Sequence, residues 1–124
     1  MNIEVKKYKE LQYVVRYPDN YIEGNKYPVI ILLHGAGGRG DDINVTIENP
    51  YFQISEKIEN FPFISVAPLC CKNTWFDLFE QLKSFALMIA MEYYSDNERI
   101  YIIVDTINEA INEGKKISFP YFQY

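Results

Sequence analysis

The most constraining feature of this sequence is an apolar strand pattern that runs directly into a glycine-rich loop. Residues 28–33 (PVIILL) form a continuous β-branched and aliphatic run, which is typical of a strand buried on both faces. The next seven residues, 34–40, hold four of the six glycines of the chain. A tight glycine loop after a buried strand points backbone N–H groups outward, where they can bind negative charge. The pattern predicts a layered fold with a candidate anion-binding loop.

Strand and helix patterns alternate along the rest of the chain. They predict an α/β fold with a mainly parallel sheet and packed helices. Further strands are predicted at residues 11–17, 61–67 and 99–104. A long helix is predicted to start at Thr74, because Thr74 and Asp77 resemble a capping box and apolar side chains follow at three- and four-residue steps.

Size and charge restrict the classes of function. A chain of 124 residues has the length of one domain. Its net charge of −5 disfavours a nucleic-acid surface, which needs clustered Lys and Arg. The longest strongly apolar run, residues 29–33, is far shorter than the roughly 20 residues of a membrane helix, and the first ten residues contain no signal-peptide pattern. We therefore expect a cytoplasmic protein without nucleic-acid or membrane partners.

The cysteine and histidine content disfavours a metal site. Cys70 and Cys71 are adjacent, a spacing that disfavours a disulfide between them. The chain has one His and no Cys-x-x-Cys spacing, so a Cys/His zinc site is not expected. We predict reduced thiols, no metal and no cofactor.

The glycine loop has two functional interpretations besides that of a plain connection. Gly35, Gly37 and Gly40 match the G-x-G-x-x-G pattern of dinucleotide-binding loops, and Glu59 stands at the spacing of a ribose-binding acid. That site needs a sustained helix after the glycines, whereas two aspartates follow here and Asn49-Pro50 interrupts any helix. The other interpretation is an oxyanion hole, in which a loop N–H stabilises a tetrahedral intermediate.

Residues 27–42, which contain HGAGGRGDD, resemble the oxyanion strand and loop of α/β-hydrolase esterases and peptidase-like hydrolases. Residues 63–68 are similar to the next strand of that family, residues 73–77 to the start of its following helix, and residues 99–102 to the strand before the nucleophile elbow. The resemblance implies a truncated, three-layer α/β-hydrolase-like domain over residues 1–104.

The resemblance also implies a role for the loop. The implied oxyanion-loop residues are His34, Gly35, Ala36, Gly37 and Gly38. Ala36 and Gly37 would lie where the family's loop offers an N–H to the oxyanion, and His34 would shape the loop rather than act as the base. The implied ligand is a small ester-like molecule.

The catalytic triad of this family has no match at its expected places. The family's serine lies in a G-x-S-x-G turn after the strand matched by residues 99–104, where this chain has DTINE. None of its five serines has a glycine two positions before or after it, and no His follows residue 104. We expect no catalytic residues and no hydrolysis by the chain alone. A nucleophilic Cys70 or Cys71 served by His34 is an alternative, but no sequence rule places the three together.

Residues 105–124 form a separate segment of uncertain origin. A short helix is predicted at residues 106–113 and a strand-like segment at 116–124. The segment faintly resembles the helix-to-strand start of WYL-type ligand-sensing domains. This resemblance implies a hydrolase half joined to the first piece of another domain, as a rearranged or truncated gene would give. An ordinary helix and strand completing the sheet is the alternative. An exposed edge at the strand of residues 99–104 would favour a homo-oligomer, which gives a second class of function, an interaction module.

Overall fold

Six strands form one mixed sheet within the part of the chain that the structure describes. The computed structural model describes residues 2–93 and 100–104 together with the backbone of 118–119. The strands are β1 (Ile3–Tyr8), β2 (Leu11–Arg16), β3 (Val29–Leu33), β4 (Ile64–Pro68), β5 (Ile100–Val104) and β6 (Ser118–Phe119). Their order across the sheet is β1-β2-β4-β3-β5-β6. The strands predicted at residues 11–17, 28–33, 61–67 and 99–104 are confirmed, with small shifts at their ends.

The expectation of a mainly parallel sheet needs correction. β3 runs parallel to both of its neighbours, β4 and β5. The pairs β1–β2, β2–β4 and β5–β6 are antiparallel. The first of these is a hairpin whose turn is Lys9-Glu10, with Lys9 at a φ of 53°. A two-residue turn can join only antiparallel strands. Since β2 also runs against β4 and β6 against β5, the parallel arrangement is confined to the centre of the sheet.

β1 is an edge strand that the sequence patterns did not reveal. It carries Glu4, Lys6 and Lys7, and its side chains are exposed or only partly buried. Charged side chains on an edge strand hinder pairing with another chain. The same charges hide the strand from a search for apolar alternation.

Three α-helices and two 3-10 turns complete the described chain. The α-helices are α1 (Ile43–Ile47), α2 (Pro50–Glu56) and α3 (Phe79–Tyr93). The 3-10 turns are Ala36–Gly38 and Trp75–Leu78. The predicted capping box of Thr74 and Asp77 is present, and the turn that it caps leads into α3. No helix within residues 2–93 combines the length and apolar character needed to cross a membrane.

Helices cover both faces of the sheet. On one face, α3 packs Phe85 and Ile89 into the larger apolar cluster, where the rings of Tyr13 and Phe85 meet edge-on at 4.9 Å. On the other face, Phe52 of α2 packs with Val14 and Leu32. β3 and β4 are buried along their whole length, which agrees with their uninterrupted apolar sequences.

Most of the segment 105–124 lies outside the described residues, and so do the predicted helix at 106–113 and the proposed boundary after residue 104. The backbone of Ser118–Phe119 pairs with Ile102 and Ile103 of β5. The strand-like prediction for residues 116–124 therefore holds at these two positions, and they cover part of the edge that was expected to be exposed.

Replacing Phe85 with Ala will test whether α3 is anchored through this ring. Phe85 is fully buried, so we expect F85A to lower the free energy of unfolding by about 3–5 kcal/mol through lost burial and the cavity left behind. Met91 lies on the same helix and is 87% exposed, so M91A should change it by less than about 0.5 kcal/mol. Urea unfolding followed by circular dichroism measures both. Equal effects of the two substitutions would contradict this packing.

Candidate functional site

The glycine loop lies at the end of the central strand of the sheet. Residues 34–40 follow β3 directly, and residues 69–75 follow its parallel neighbour β4. Because parallel strands end at the same edge of a sheet, these two segments meet there. Gly40 N–H donates to the Cys70 carbonyl at 3.0 Å. The candidate site is formed by this pair of segments.

His34 joins the two segments through Nε2 of its ring, while Nδ1 bonds within its own loop. Its Nε2 accepts a hydrogen bond from the Cys70 backbone N–H at 2.9 Å. Its Nδ1 lies 2.7 Å from the Gly35 carbonyl oxygen. An N–H donor at Nε2 and a carbonyl acceptor at Nδ1 assign the neutral tautomer with its proton on Nδ1. The ring is buried, and each of its two nitrogens is bonded to a backbone group.

Two further side chains fasten the loop to the segment after β4. Trp75 Nε1–H donates to the His34 carbonyl at 3.0 Å, and the two rings pack with centroids 4.9 Å apart. The Arg39 guanidinium donates from Nε to the Ala36 carbonyl at 2.9 Å and from Nη1 to the Asn73 carbonyl. These contacts hold the glycine loop against residues 70–75 from two sides.

The start of β2 contributes a third support. The Gln12 carbonyl accepts from the Leu69 N–H at 2.9 Å, and its side-chain amide donates to the Asp41 carbonyl at 3.2 Å. Asp42 caps α1 by accepting from the Asn44 N–H at 3.0 Å. The two aspartates beside the loop therefore contribute to its end through a backbone carbonyl and a helix cap.

Glycine is required in this loop for two different reasons. A Cβ added to Gly38 would lie 2.8 Å from His34 Cγ, closer than real Cβ contacts. Gly40 has open space around it but a φ of +140°, a conformation that side chains disfavour. The imidazole therefore packs directly on the backbone of residue 38, and residue 40 allows the chain to turn away from the site.

The hydrogen bonds of the loop set the direction of its first N–H groups. The Gly35 carbonyl accepts from His34 Nδ1 and, at 3.0 Å, from the Gly38 N–H. No described peptide bond is cis, and in a trans peptide the N–H points opposite to the carbonyl. The Ala36 N–H is thus directed away from His34. Ala36 and Gly37 are exposed and precede the first internal bond donor of the 3-10 turn, so the helix provides no partner for their N–H groups.

The structure brings Cys70 to His34, although not through its thiol. The Cys70 backbone N–H contacts the ring, while its Sγ–H donates to the Lys72 carbonyl at 3.4 Å. Burial raises the pKa of the Cys70 thiol. A thiol of this kind is a poor nucleophile at neutral pH.

The serines in the described part of the chain take part in other contacts. Ser65 Oγ lies 2.7 Å from the Tyr51 hydroxyl, Ser55 donates to the Phe52 carbonyl, and Ser84 donates to the Gln81 carbonyl. Each hydroxyl is engaged within its own helix or with a neighbouring tyrosine. None of these contacts forms a serine–histidine pair of the kind that activates a nucleophile.

Comparison with known proteins assigns an esterase-like fold. No family model and no curated protein sequence matches the chain. Among solved structures, a thermostable esterase superposes with a TM-score of 0.66 at 20% sequence identity, covering 85% of this chain and 34% of the esterase. The chain therefore spans about a third of the length of that esterase. At this identity the similarity defines the fold.

Some site contacts had no signal in the sequence, and one sequence match lacks its structure. The contacts of Trp75 and Arg39 join positions far apart in the chain, so no local pattern indicates them.

The G-x-G-x-x-G match at Gly35 leads into a three-residue 3-10 turn, and α1 begins only at Ile43 and has five residues. A dinucleotide fingerprint needs the N terminus of a longer helix directly after the glycines.

Replacing Gly38 with Ala will test the contact between the loop backbone and the imidazole. The added Cβ would displace the His34 ring, so we expect G38A to lower the free energy of unfolding by about 1–3 kcal/mol. In an H34A background the clash is absent, and the cost of G38A should shrink there. Urea unfolding of the two single variants and the double variant measures this coupling. An equal cost in both backgrounds would show that the ring does not set the requirement for glycine.

Alkylation will test the state of the Cys70 thiol. Because burial raises its pKa, less thiolate is present in the folded protein than in the unfolded protein at pH 8. We expect iodoacetamide to modify Cys70 of a C71S variant much more slowly in buffer than in urea, as followed by intact mass. The C70S variant reports on Cys71, which is only partly buried. Rapid modification of Cys70 in the folded protein would instead indicate an activated thiol.

Proposed function

We propose that this domain supplies the oxyanion-loop part of an α/β-hydrolase-type esterase. The observation that carries the proposal is the orientation of the loop after β3. The Gly35 carbonyl is bonded to His34, so the Ala36 N–H of the same peptide points away from that ring. The Ala36 carbonyl is bonded to Arg39, which directs the Gly37 N–H in the same way, and the 3-10 turn has no internal partner for either N–H. The esterase-like fold supports the same assignment. The architecture is that of a partial, three-layer hydrolase domain.

The chemistry of this loop is the stabilisation of negative charge on oxygen. Two backbone N–H groups held in fixed directions can donate to the oxyanion that develops when an ester carbonyl is attacked. Pre-orientation matters because the donors then need no rearrangement during the reaction. The proposed ligand is a small ester, and the reaction class is acyl transfer to water.

We further propose that this chain does not hydrolyse esters by itself. The family's serine, acid and histidine have no counterparts at their expected positions in the sequence. His34, the only histidine, has both ring nitrogens bonded to backbone groups, which disfavours a role as general base. A loop without a nucleophile and base provides only residual catalysis.

Three measurements test the proposal. Incubation with a fluorophosphonate probe should give no covalent adduct by intact mass, and p-nitrophenyl acetate should turn over no faster with the chain than with its H34A variant. In ¹⁵N–¹H NMR spectra, methylphosphonate, a tetrahedral oxyanion, should shift the amide signals of Ala36 and Gly37, whereas chloride at equal ionic strength should not.

The fluorophosphonate result tests the proposed inactivity of the chain, and the NMR result tests the proposed oxyanion loop. A stoichiometric adduct would mean that the chain contains an activated nucleophile, and the inactivity proposal would be wrong. If methylphosphonate leaves both amide signals unchanged in the folded protein, the loop is not an oxyanion site, even if the chain is inactive.

A further inference from the structure

Arg39 has an exposed side chain that nevertheless holds two backbone carbonyls. Its Nε–H donates to the Ala36 carbonyl at 2.9 Å, within the same loop. Its Nη1–H donates to the Asn73 carbonyl, on the segment after β4. The rigid, planar guanidinium fixes the spacing of these two bonds. The side chain therefore connects the 3-10 turn to its neighbouring segment through the carbonyl of residue 36.

The carbonyl that Arg39 holds belongs to the peptide that carries the Gly37 N–H. In a trans peptide the carbonyl and the N–H point in opposite directions, so fixing the Ala36 carbonyl fixes the direction of the Gly37 N–H. His34 does the same for the preceding peptide, where it holds the Gly35 carbonyl and thereby directs the Ala36 N–H. Each of the two outward N–H groups is thus controlled by a different side chain.

Within the 3-10 turn, the backbone hydrogen bond to the Ala36 carbonyl is weaker than the one to the Gly35 carbonyl. The Gly38 N–H reaches the Gly35 carbonyl at 3.0 Å, whereas the Arg39 N–H reaches the Ala36 carbonyl at only 3.4 Å. A bond of 3.4 Å lies beyond the usual range for N–H···O bonds. The shorter bond from Arg39 Nε, which comes from a charged donor, is the stronger restraint on the Ala36 carbonyl.

We propose that Arg39 is a positioning residue of the oxyanion loop, which acts by directing the Gly37 N–H. The inference rests on the proposed function, since it assigns a role within the same loop. Nε and Nη1 are bonded to carbonyls, so Arg39 acts through the peptide of residues 36 and 37.

The variants R39A and R39K separate geometry from charge. R39A removes both bonds, and R39K keeps the positive charge but lacks the planar fork that spans two carbonyls. K57A is the matched control, because Lys57 is an exposed cation at the end of α2, away from the loop. Both positions are exposed, so we expect the three variants to fold, and circular dichroism will verify this.

Amide NMR signals are the readout that a general loss of stability would not reproduce. In R39A and R39K without ligand, we expect the Gly37 amide signal to shift, because the direction of its peptide changes, while the Ala36 signal changes less. Methylphosphonate should bind R39A about five- to tenfold more weakly than the wild type, the loss of roughly one hydrogen bond. K57A should match the wild type in every measurement.

The outcomes distinguish this inference from the function on which it rests. An unchanged Gly37 signal in R39A, or equal shifts at Ala36 and Gly37, would overturn the positioning role. If R39K behaves as the wild type does, charge rather than the two-carbonyl bridge is responsible, and the inference is also wrong. If the wild-type amides ignore methylphosphonate while R39A still shifts Gly37, the proposed function fails and the control of the peptide by Arg39 stands.

Discussion

The contact on which the site depends is a neutral imidazole held between two backbone groups. His34 accepts from the Cys70 N–H and donates to the Gly35 carbonyl, and so links the ends of two parallel strands. A ring with one acceptor and one donor nitrogen can make both bonds only in its neutral form. Two neighbouring features depend on the same ring. Residue 38 must lack a Cβ because the imidazole lies on its backbone, and the indole of Trp75 packs on the imidazole.

The sequence predicted the elements that are coded locally. The apolar runs of β3 and β4 and the capping box before α3 each lie within a few residues, and each was found in the structure. The antiparallel hairpin of β1 and β2 was missed, because its turn at Lys9 lacks the glycine or asparagine that marks a tight hairpin. The sheet was therefore predicted to contain more parallel pairs than it has. The contacts of Arg39 with residue 73 and of Trp75 with residue 34 join distant positions, and a single sequence contains no pattern for them.

The contacts that orient the loop in the described part of the chain are bonds to its backbone. Every contact that orients it comes from residues within the described fold, chiefly His34, Arg39 and Trp75. Under the proposed function, an anion-binding geometry and the chemistry that generates the anion would be separable parts of an esterase-like fold. We propose that this chain contains the first part; at the expected positions of the second part, its sequence has other side chains.

The antiparallel direction of β2 has a consequence for the N-terminal hairpin. Because β2 runs against β4, its first residues lie at the edge where β3 and β4 end, and Gln12 there bonds both Leu69 and Asp41. The opening residues of the chain are consequently part of the scaffold of a loop that comes much later in the sequence. Shortening the chain from its N terminus would loosen the flanks of that loop, although none of the removed side chains belongs to it.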